Sequence, residues 1–289
     1  KVAKASLTIL VPSAQINAND GISNMLIKKL KFEILPFMTH LINCSINSGT
    51  FPMIWKIGRI VPIHKRNSKL LLENYRPVCI TSSLGKVAEL VIRNQFKEHL
   101  ERILPSNMYG FRQGKGTQDA IVHLTDKIKE LRSKGLAVAV LALDATAAFD
   151  TMHHDLVTAS LKATGVGDKM IAWTSSFFSD CQLIVDINGT HSSSWTSSDG
   201  VGQGRPLSQD LYNVGVISGS FWSESSEAFL FADDGSNVIS ATTIDECNKK
   251  IQHVANELTA WFDLTGLTLN EQKSELIGFG FHPNPIVIN

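Results

Sequence analysis

Cysteine is scarce in this chain: the four, Cys44, Cys79, Cys181 and Cys247, lie far apart and include no C-x-x-C pair. That spacing offers neither a zinc ligand set nor a disulfide framework, and it fits a reducing, intracellular setting in which the thiols are small core residues. Long apolar runs are missing too. Those present, such as Leu136–Leu143, fall well short of a membrane span. The opening KVAKASLTIL runs into polar sequence without a small-residue cleavage site, so no signal peptide is read. Neither an internal repeat nor a low-complexity linker is found. The chain begins on Lys1 rather than Met and ends on FHPNPIVIN, which reads as a piece of something longer.

What remains is an ordinary globular composition, 43% hydrophobic and 19% charged, in 289 residues. That length suits one large or two small domains with a sizeable core. The net charge is zero, but it is unevenly spread. Between Phe51 and Gly116 twelve Lys or Arg face only four Glu, so the rest of the chain is acidic by the same margin. Such asymmetry fits one lobe turned to a polyanion and another carrying carboxylates; a solvated basic face is the simpler alternative.

Apolar periodicity predicts helices over 20–50 (interrupted at Pro36 and closed by Gly49), 82–104, 117–133 (capped by Thr117, closed by Gly135), 154–164, 168–178, 206–222 and 243–264. Strands are expected at 57–65, where Pro62 favours an edge position, and at 136–144, 181–189, 190–198 and 274–279. In FLFADDGSNVIS (229–240), Asp234-Gly235 is a hairpin-turn signal between strands Phe229–Ala232 and Ser236–Ser240. This mixture reads as an α+β chain with a mostly antiparallel central sheet.

Two of these segments carry chemistry. LAVAVLALD (136–144) is too apolar to lie anywhere but in the core, yet ends on Asp144. A carboxylate there is paired, hydrogen-bonded or holding a metal. If that strand lies beside the 229–240 hairpin, Asp144, Asp233 and Asp234 converge at one sheet edge. Three such carboxylates form a hard-oxygen cage suited to magnesium, whose charge would cancel their repulsion.

Eight stretches in order then resemble the reverse transcriptase of non-long-terminal-repeat (LINE-like) retrotransposons: DGISNMLIKKL (20–30), FPMIWKIGRIVPIHK (51–65), NYRPVCITSSLGKVAE (74–89), YGFRQGKGTQDAI (109–121), LALDATAAFDTMHHD (141–155), GVGQGRPLS (200–208), FADD (231–234) and LTLNEQKSELIGF (267–279). The resemblance implies a right-hand polymerase fold: a fingers-like region with part of the palm over 1–135, and the palm with an antiparallel sheet over 136–289. Most of the thumb and any endonuclease domain would belong to a longer polyprotein. It implies an RNA-directed DNA polymerase, a nucleotidyltransferase using two Mg2+ ions (or Mn2+), with RNA template, DNA primer and deoxynucleoside triphosphates as partners. No membrane is involved, and the setting is cytoplasmic or nuclear.

By the same resemblance Asp144, Asp233, Asp234 and the carbonyl of Ala145 hold metal, and Lys273 protonates the leaving pyrophosphate. Lys65 and Arg76 grip the triphosphate, Phe149 is a steric gate against the 2′-hydroxyl, and Gln203 and Gly204 hold the nucleotide sugar and template base. Arg112 touches the template backbone, and Asp150 caps the helix that follows it.

The 200–209 loop departs from the family pattern. Gly202 stands where Pro is usual, Arg205 where Ser or Asp is common, and Gln209 where Pro is common. The segment from there to FADD is also short. One alternative is therefore a decaying or domesticated module that binds nucleic acid without synthesis. Another is a dinucleotide-binding enzyme built on GVGQG, although the third glycine of that fingerprint is missing and no βαβ unit surrounds it.

Overall fold

In the computed structural model, which describes residues 20–217 and 223–287, the chain opens with helices α1 (Asn24–Lys29) and α2 (Lys31–Ser48). Strands β1 (Ile57–His64) and β2 (Tyr75–Ile80) follow, then helices α3 (Ser83–Ile103) and α4 (Thr117–Ser133). Next come β3 (Ala137–Thr146), α5 (Ala148–Thr151), α6 (His154–Ala163) and α7 (Asp168–Phe178). The order continues through β4 (Cys181–Ile187), β5 (Thr190–His191), β6 (Trp195–Ser197) and α8 (Ser208–Ile217). It closes with β7 (Ser226–Phe231), β8 (Asp234–Ala241), α9 (Ile244–Thr265), β9 (Thr268–Leu269) and β10 (Glu275–Phe279).

The strands form two sheets rather than one. The first runs β2-β1-β4, with β5 and β6 paired to β4; β1 and β2 are antiparallel, whereas β1 and β4 are parallel. The second is antiparallel throughout, in the order β10-β3-β8-β7, and β9 extends the end of β3. Strand β3 sits at its centre and is covered on both faces, which is why its sequence is apolar without alternation. Ala139, Leu141 and Leu143 join the large core that includes Ile251, Val254 and Leu258 of α9. Val138 and Val140 point the other way, into a smaller cluster with Phe229 and Val238 against Leu124, Ile128 and Leu131 of α4. The period-2 geometry of one strand thus serves two helices.

Several local expectations shift. The break in the first helical stretch falls at Leu30, not at Pro36, which lies within α2. A proline forfeits one helical hydrogen bond, and it does so here between exposed Phe32 and Phe37, where water can take the freed carbonyl. Gly49 does close the helix, in the left-handed conformation. Strand β1 is interior, yet Pro62 is tolerated because pairing with β4 ends at Ile60. The cap of α4 is Gly116, whose amide donates to Asp119 at 2.7 Å, so Thr117 is the first helical residue. Helix α8 begins two residues after Pro206, and the predicted end of that helix, 218–222, lies outside the described residues. The strand expected at 190–198 is split into β5 and β6.

The FADD hairpin also turns at a different place. Asp234 and Gly235 are already in β8, paired on one side with Asp144 and Leu143 and on the other with Phe231 and Leu230. The turn residues are Ala232 and Asp233, and Ala232 takes the left-handed conformation (φ 57°). Pairing with a neighbour on each side holds Gly235 extended, and this tertiary demand overrides the local preference of Asp-Gly for a turn.

Candidate active site

The register of the second sheet brings the acidic residues together. Asp144, near the end of β3, stands directly opposite Asp234, the first residue of β8, and Asp233 precedes it in the turn. The three carboxylates therefore come from one strand end and one hairpin tip. Asn270 N–H donates to the Asp144 carbonyl at 2.8 Å, and the Asp144 amide donates to Ser274 Oγ at 3.3 Å, so the strand end is fixed by the 268–274 segment. Lys273, on that segment, makes an ion pair with Asp144 Oδ2 at 3.2 Å.

The donor set fits a hard divalent cation: carboxylate oxygens, flanked by the buried backbone of Ala145. Among the described residues, however, no three His, Cys, Asp or Glu side chains are gathered as a ready-made metal cage. The backbone alignment is in place, while Lys273 supplies the positive charge at Asp144. Burial, and then the neighbouring Asp233 and Asp144, push the Asp234 carboxyl above the usual range against the opposing pull of Lys273.

A raised carboxyl binds its proton more tightly in the folded chain than in the unfolded one. Stability contributed by Asp234 is thus lost as pH rises through its folded pKa and regained on acidification. Asp234→Asn is expected to raise the thermal midpoint at pH 7.5 in chelator by roughly a degree or two, as a small relief would in a chain of this size. The gain should shrink at pH 5. An equal or lower midpoint at pH 7.5 would mean that the ionised Asp234 carries no net penalty in the fold.

These residues line an open cleft of about 1480 Å³. Lys65, Arg76, Phe149, Asp150, Gln203 and Gly204 share its walls with Asp144, Ala145, Asp233, Asp234 and Lys273. Lys65 follows β1, and exposed Arg76 lies on β2 opposite Ile63. The first sheet thereby supplies cations that face the acidic edge of the second. Phe149 is rigidly backed: its ring stacks on Tyr212 (centroids 4.4 Å apart, planes 11° apart) and meets Phe111 edge-on at 5.7 Å. Its carbonyl accepts from Val201 N–H at 2.7 Å. One side of the ring thus packs on the core while the residue still borders the cleft.

The family whose model matches residues 63–281 is described as reverse transcriptase (RNA-dependent DNA polymerase). The chain belongs to that family. It is 27% identical over 265 residues to a probable RNA-directed DNA polymerase from transposon BS of Drosophila melanogaster, covering 88% of this chain and 29% of that protein. It is 24% identical over 285 residues to the RNA-directed DNA polymerase from mobile element jockey of the same organism, covering 95% of this chain and 31% of that one. The chain therefore spans under a third of these relatives' length. Among solved structures, apo telomerase from Candida tropicalis truncated from its C-terminal domain shares the fold, with a TM-score of 0.58 at 15% identity. That match covers 80% of this chain and 51% of the telomerase.

Two positions of this reverse transcriptase-family chain depart from expectation. Arg112 is not among the cleft residues. Its guanidinium is committed to Glu101 at 2.7 Å and to the carbonyls of Pro105 and Met108, with 6% of the side chain exposed. It braces the segment before α4. Asp150 does not cap α6, whose cap is His153; it lies in α5 and accepts from Gln203 Nε2 at 3.0 Å. Burial raises its carboxyl, opposed by that hydrogen bond and by Lys65.

The unusual loop has a physical basis that sequence alone did not reveal. Gly202 has φ 70°, which the proline usual at this position cannot adopt. Arg205 is buried and pairs at 3.2 Å with Glu89 of α3, itself wholly inaccessible. Burial works against its charge, but the Glu89 carboxylate holds the guanidinium above its ordinary range. The guanidinium also lies 3.6 Å from the centroid of Phe177, and Glu89 Oε2 accepts from Leu207 N–H at 3.4 Å. The loop carrying Gln203 is thereby anchored to α3, and the Gln203 carbonyl accepts from Cys79 N–H of β2 at 2.8 Å. This is loop anchorage: among the described residues the flanking strands β6 and β7 belong to different sheets and form no βαβ unit with α8. The sequence clue was the departure at Arg205; nothing marked Glu89, 116 positions away, as its partner.

Proposed function

We propose that this chain is the polymerase portion of a retroelement reverse transcriptase, extending a DNA primer on an RNA template with deoxynucleoside triphosphates. The observation that carries this reading is the pairing of Asp144 with Asp234, beside Asp233, at the edge of a cleft whose other wall carries Lys65 and Arg76. The first sheet with α3 would be the fingers and the second sheet with α9 the palm. The chain would work within a longer polyprotein, in the cytoplasm or nucleus. Among the described residues no helix is long and apolar enough to cross a membrane.

Asp144, Asp233, Asp234 and the Ala145 carbonyl would hold two magnesium ions, or manganese. Such ions, when bound, lower the pKa of an attacking hydroxyl and neutralise the leaving phosphates. The chain's own residues do the rest. Lys65 and Arg76 bind the triphosphate through charge-assisted hydrogen bonds. Gln203 and Gly204 hold the sugar and the template base. The primer 3′-hydroxyl gives its proton to solvent as its oxygen forms a bond to the α-phosphorus and the bond to the pyrophosphate oxygen breaks. Lys273, whose side chain is 59% exposed, leaves Asp144 to give the departing pyrophosphate its proton.

The test is primer extension by this chain on an RNA template with magnesium and deoxynucleotides. Template-dependent products are expected, and their absence from folded protein that binds primer–template would favour a non-synthesising module instead. Phe149, held flat by Tyr212, would bar a 2′-hydroxyl by contact alone. Steric selection against one hydroxyl is worth roughly 100-fold. Phe149→Ala should therefore admit ribonucleotides up to that factor more readily in paired incorporation assays. Unchanged sugar selectivity would remove the gate.

A further inference from the structure

The FADD turn carries a strained residue and a close neighbour that no metal-binding or nucleotide-binding role accounts for. Ala232 is left-handed, a conformation that is costly for a non-glycine residue and persists only where the surroundings over-determine it. Those surroundings come from a segment distant in sequence. Tyr109 N–H donates to the Leu230 carbonyl at 2.8 Å, and Leu230 N–H donates to the Asn107 carbonyl at 3.0 Å. Asn107 Nδ2 donates to the Ala228 carbonyl at 2.6 Å. Residues 107–109 thus run beside β7 as an extra rail.

At the end of that rail the backbone of Gly110 lies flat against the turn. A Cβ built on Gly110 would stand 2.2 Å from Ala232 N, 2.9 Å from its Cα and 3.1 Å from the Phe231 carbonyl carbon. All three are backbone atoms, so no side chain can yield. Gly110 is not among the positive-φ residues; it is needed for proximity alone. Its carbonyl accepts from Nδ2 of Asn213 on α8 at 3.0 Å, and Asn213 is buried. The adjacent residues complete a brace: Phe111 meets Phe149 edge-on, and Tyr212 stacks beneath it.

We propose that Gly110 and Asn213 are positioning residues for Asp233, holding the Ala232–Asp233 turn at the distance from Asp144 that divalent-cation binding requires. The inference rests on the functional reading above for what the cations do, but not for whether the site binds them. Adding a methyl group to Gly110 drives the turn away from its rail. Removing the Asn213 donor leaves the Gly110 carbonyl unsatisfied and frees the rail to shift.

The experiment measures Mn2+ binding to the whole chain by the loss of the free-ion electron paramagnetic resonance signal, with primer extension against metal concentration alongside. Gly110→Ala should weaken Mn2+ binding about 10-fold and lower extension at limiting metal by roughly 100-fold, the scale of an ångström-sized misplacement. Excess metal should restore part of the rate, and primer–template affinity should be unchanged. Asn213→Leu, similar in size and lacking the donor, should shift Mn2+ binding the same way by a smaller factor, and decides the matter if Gly110→Ala does not fold. Folded variants that bind Mn2+ as the parent does overturn the proposal, even if they melt earlier. A parent chain that fails to extend primers, while the variants lose Mn2+ relative to it, overturns the functional reading and leaves this one standing.

Discussion

Asp233→Asn is expected to abolish primer extension while leaving primer–template binding and thermal stability close to those of the parent. Asp233 is exposed at the tip of the β7–β8 hairpin and pairs with neither neighbouring strand, so an isosteric amide there disturbs no packing. It does remove one of three negative charges from the donor set, and magnesium relies on few protein ligands. Loss of one member of a catalytic constellation typically lowers turnover by about four orders of magnitude or more. The checks are single-nucleotide incorporation and a gel-shift titration with the same duplex. Incorporation within tenfold of the parent would mean that Asp233 is a turn residue and nothing more.

Arg205→Met is the change with the largest expected effect on folding. It leaves Glu89 in the core without the guanidinium that pairs with it and with only the weaker pull of Lys86, and breaking a buried ion pair in this way costs about 3–5 kcal/mol. Against a total stability of about 5–15 kcal/mol, that is a large fraction. The thermal midpoint should fall by roughly 10 °C. The double variant Arg205→Met with Glu89→Gln should regain most of the loss, because it removes the stranded charge and keeps an acceptor for the Leu207 amide. Denaturant unfolding of the parent, the single and the double variants decides the point. A single variant as stable as the parent would show that the pair adds nothing to the fold.

Much of this architecture was legible in the sequence wherever burial imposes a period. The helices α3, α4, α6, α7 and α9 announce themselves through apolar faces, and β3 through a run with no polar interruption. The placement of β3 beside the hairpin, on which the expected meeting of the acidic residues rested, is what the register shows, with Asp144 opposite Asp234. What escaped were features fixed by distant partners. The parallel pairing of β1 with β4 joins residues with no local signal for each other, so a second sheet was not foreseen. Asp-Gly pointed to the wrong turn because its preference is local, whereas Gly235 is claimed by strands on both sides. Arg112, expected at the template backbone from its place in YGFR, also holds Glu101 and two carbonyls, partners that its neighbours in sequence did not announce. Buried Glu89 was likewise invisible, since a charge in the core is readable only once its partner is known.

The parallel contact between Ile57 and Gln182 has a bearing on how this protein is born. On a ribosome adding about 5–20 residues per second, β1 emerges with β2 soon after it but waits for β4 over roughly 6–25 s. Throughout that interval one side of a nascent hairpin presents open amides and carbonyls to whatever strand comes near. Yield in a cell should therefore respond to elongation speed and to chaperone supply, and slowing translation across residues 65–180 should favour inclusion bodies over native product.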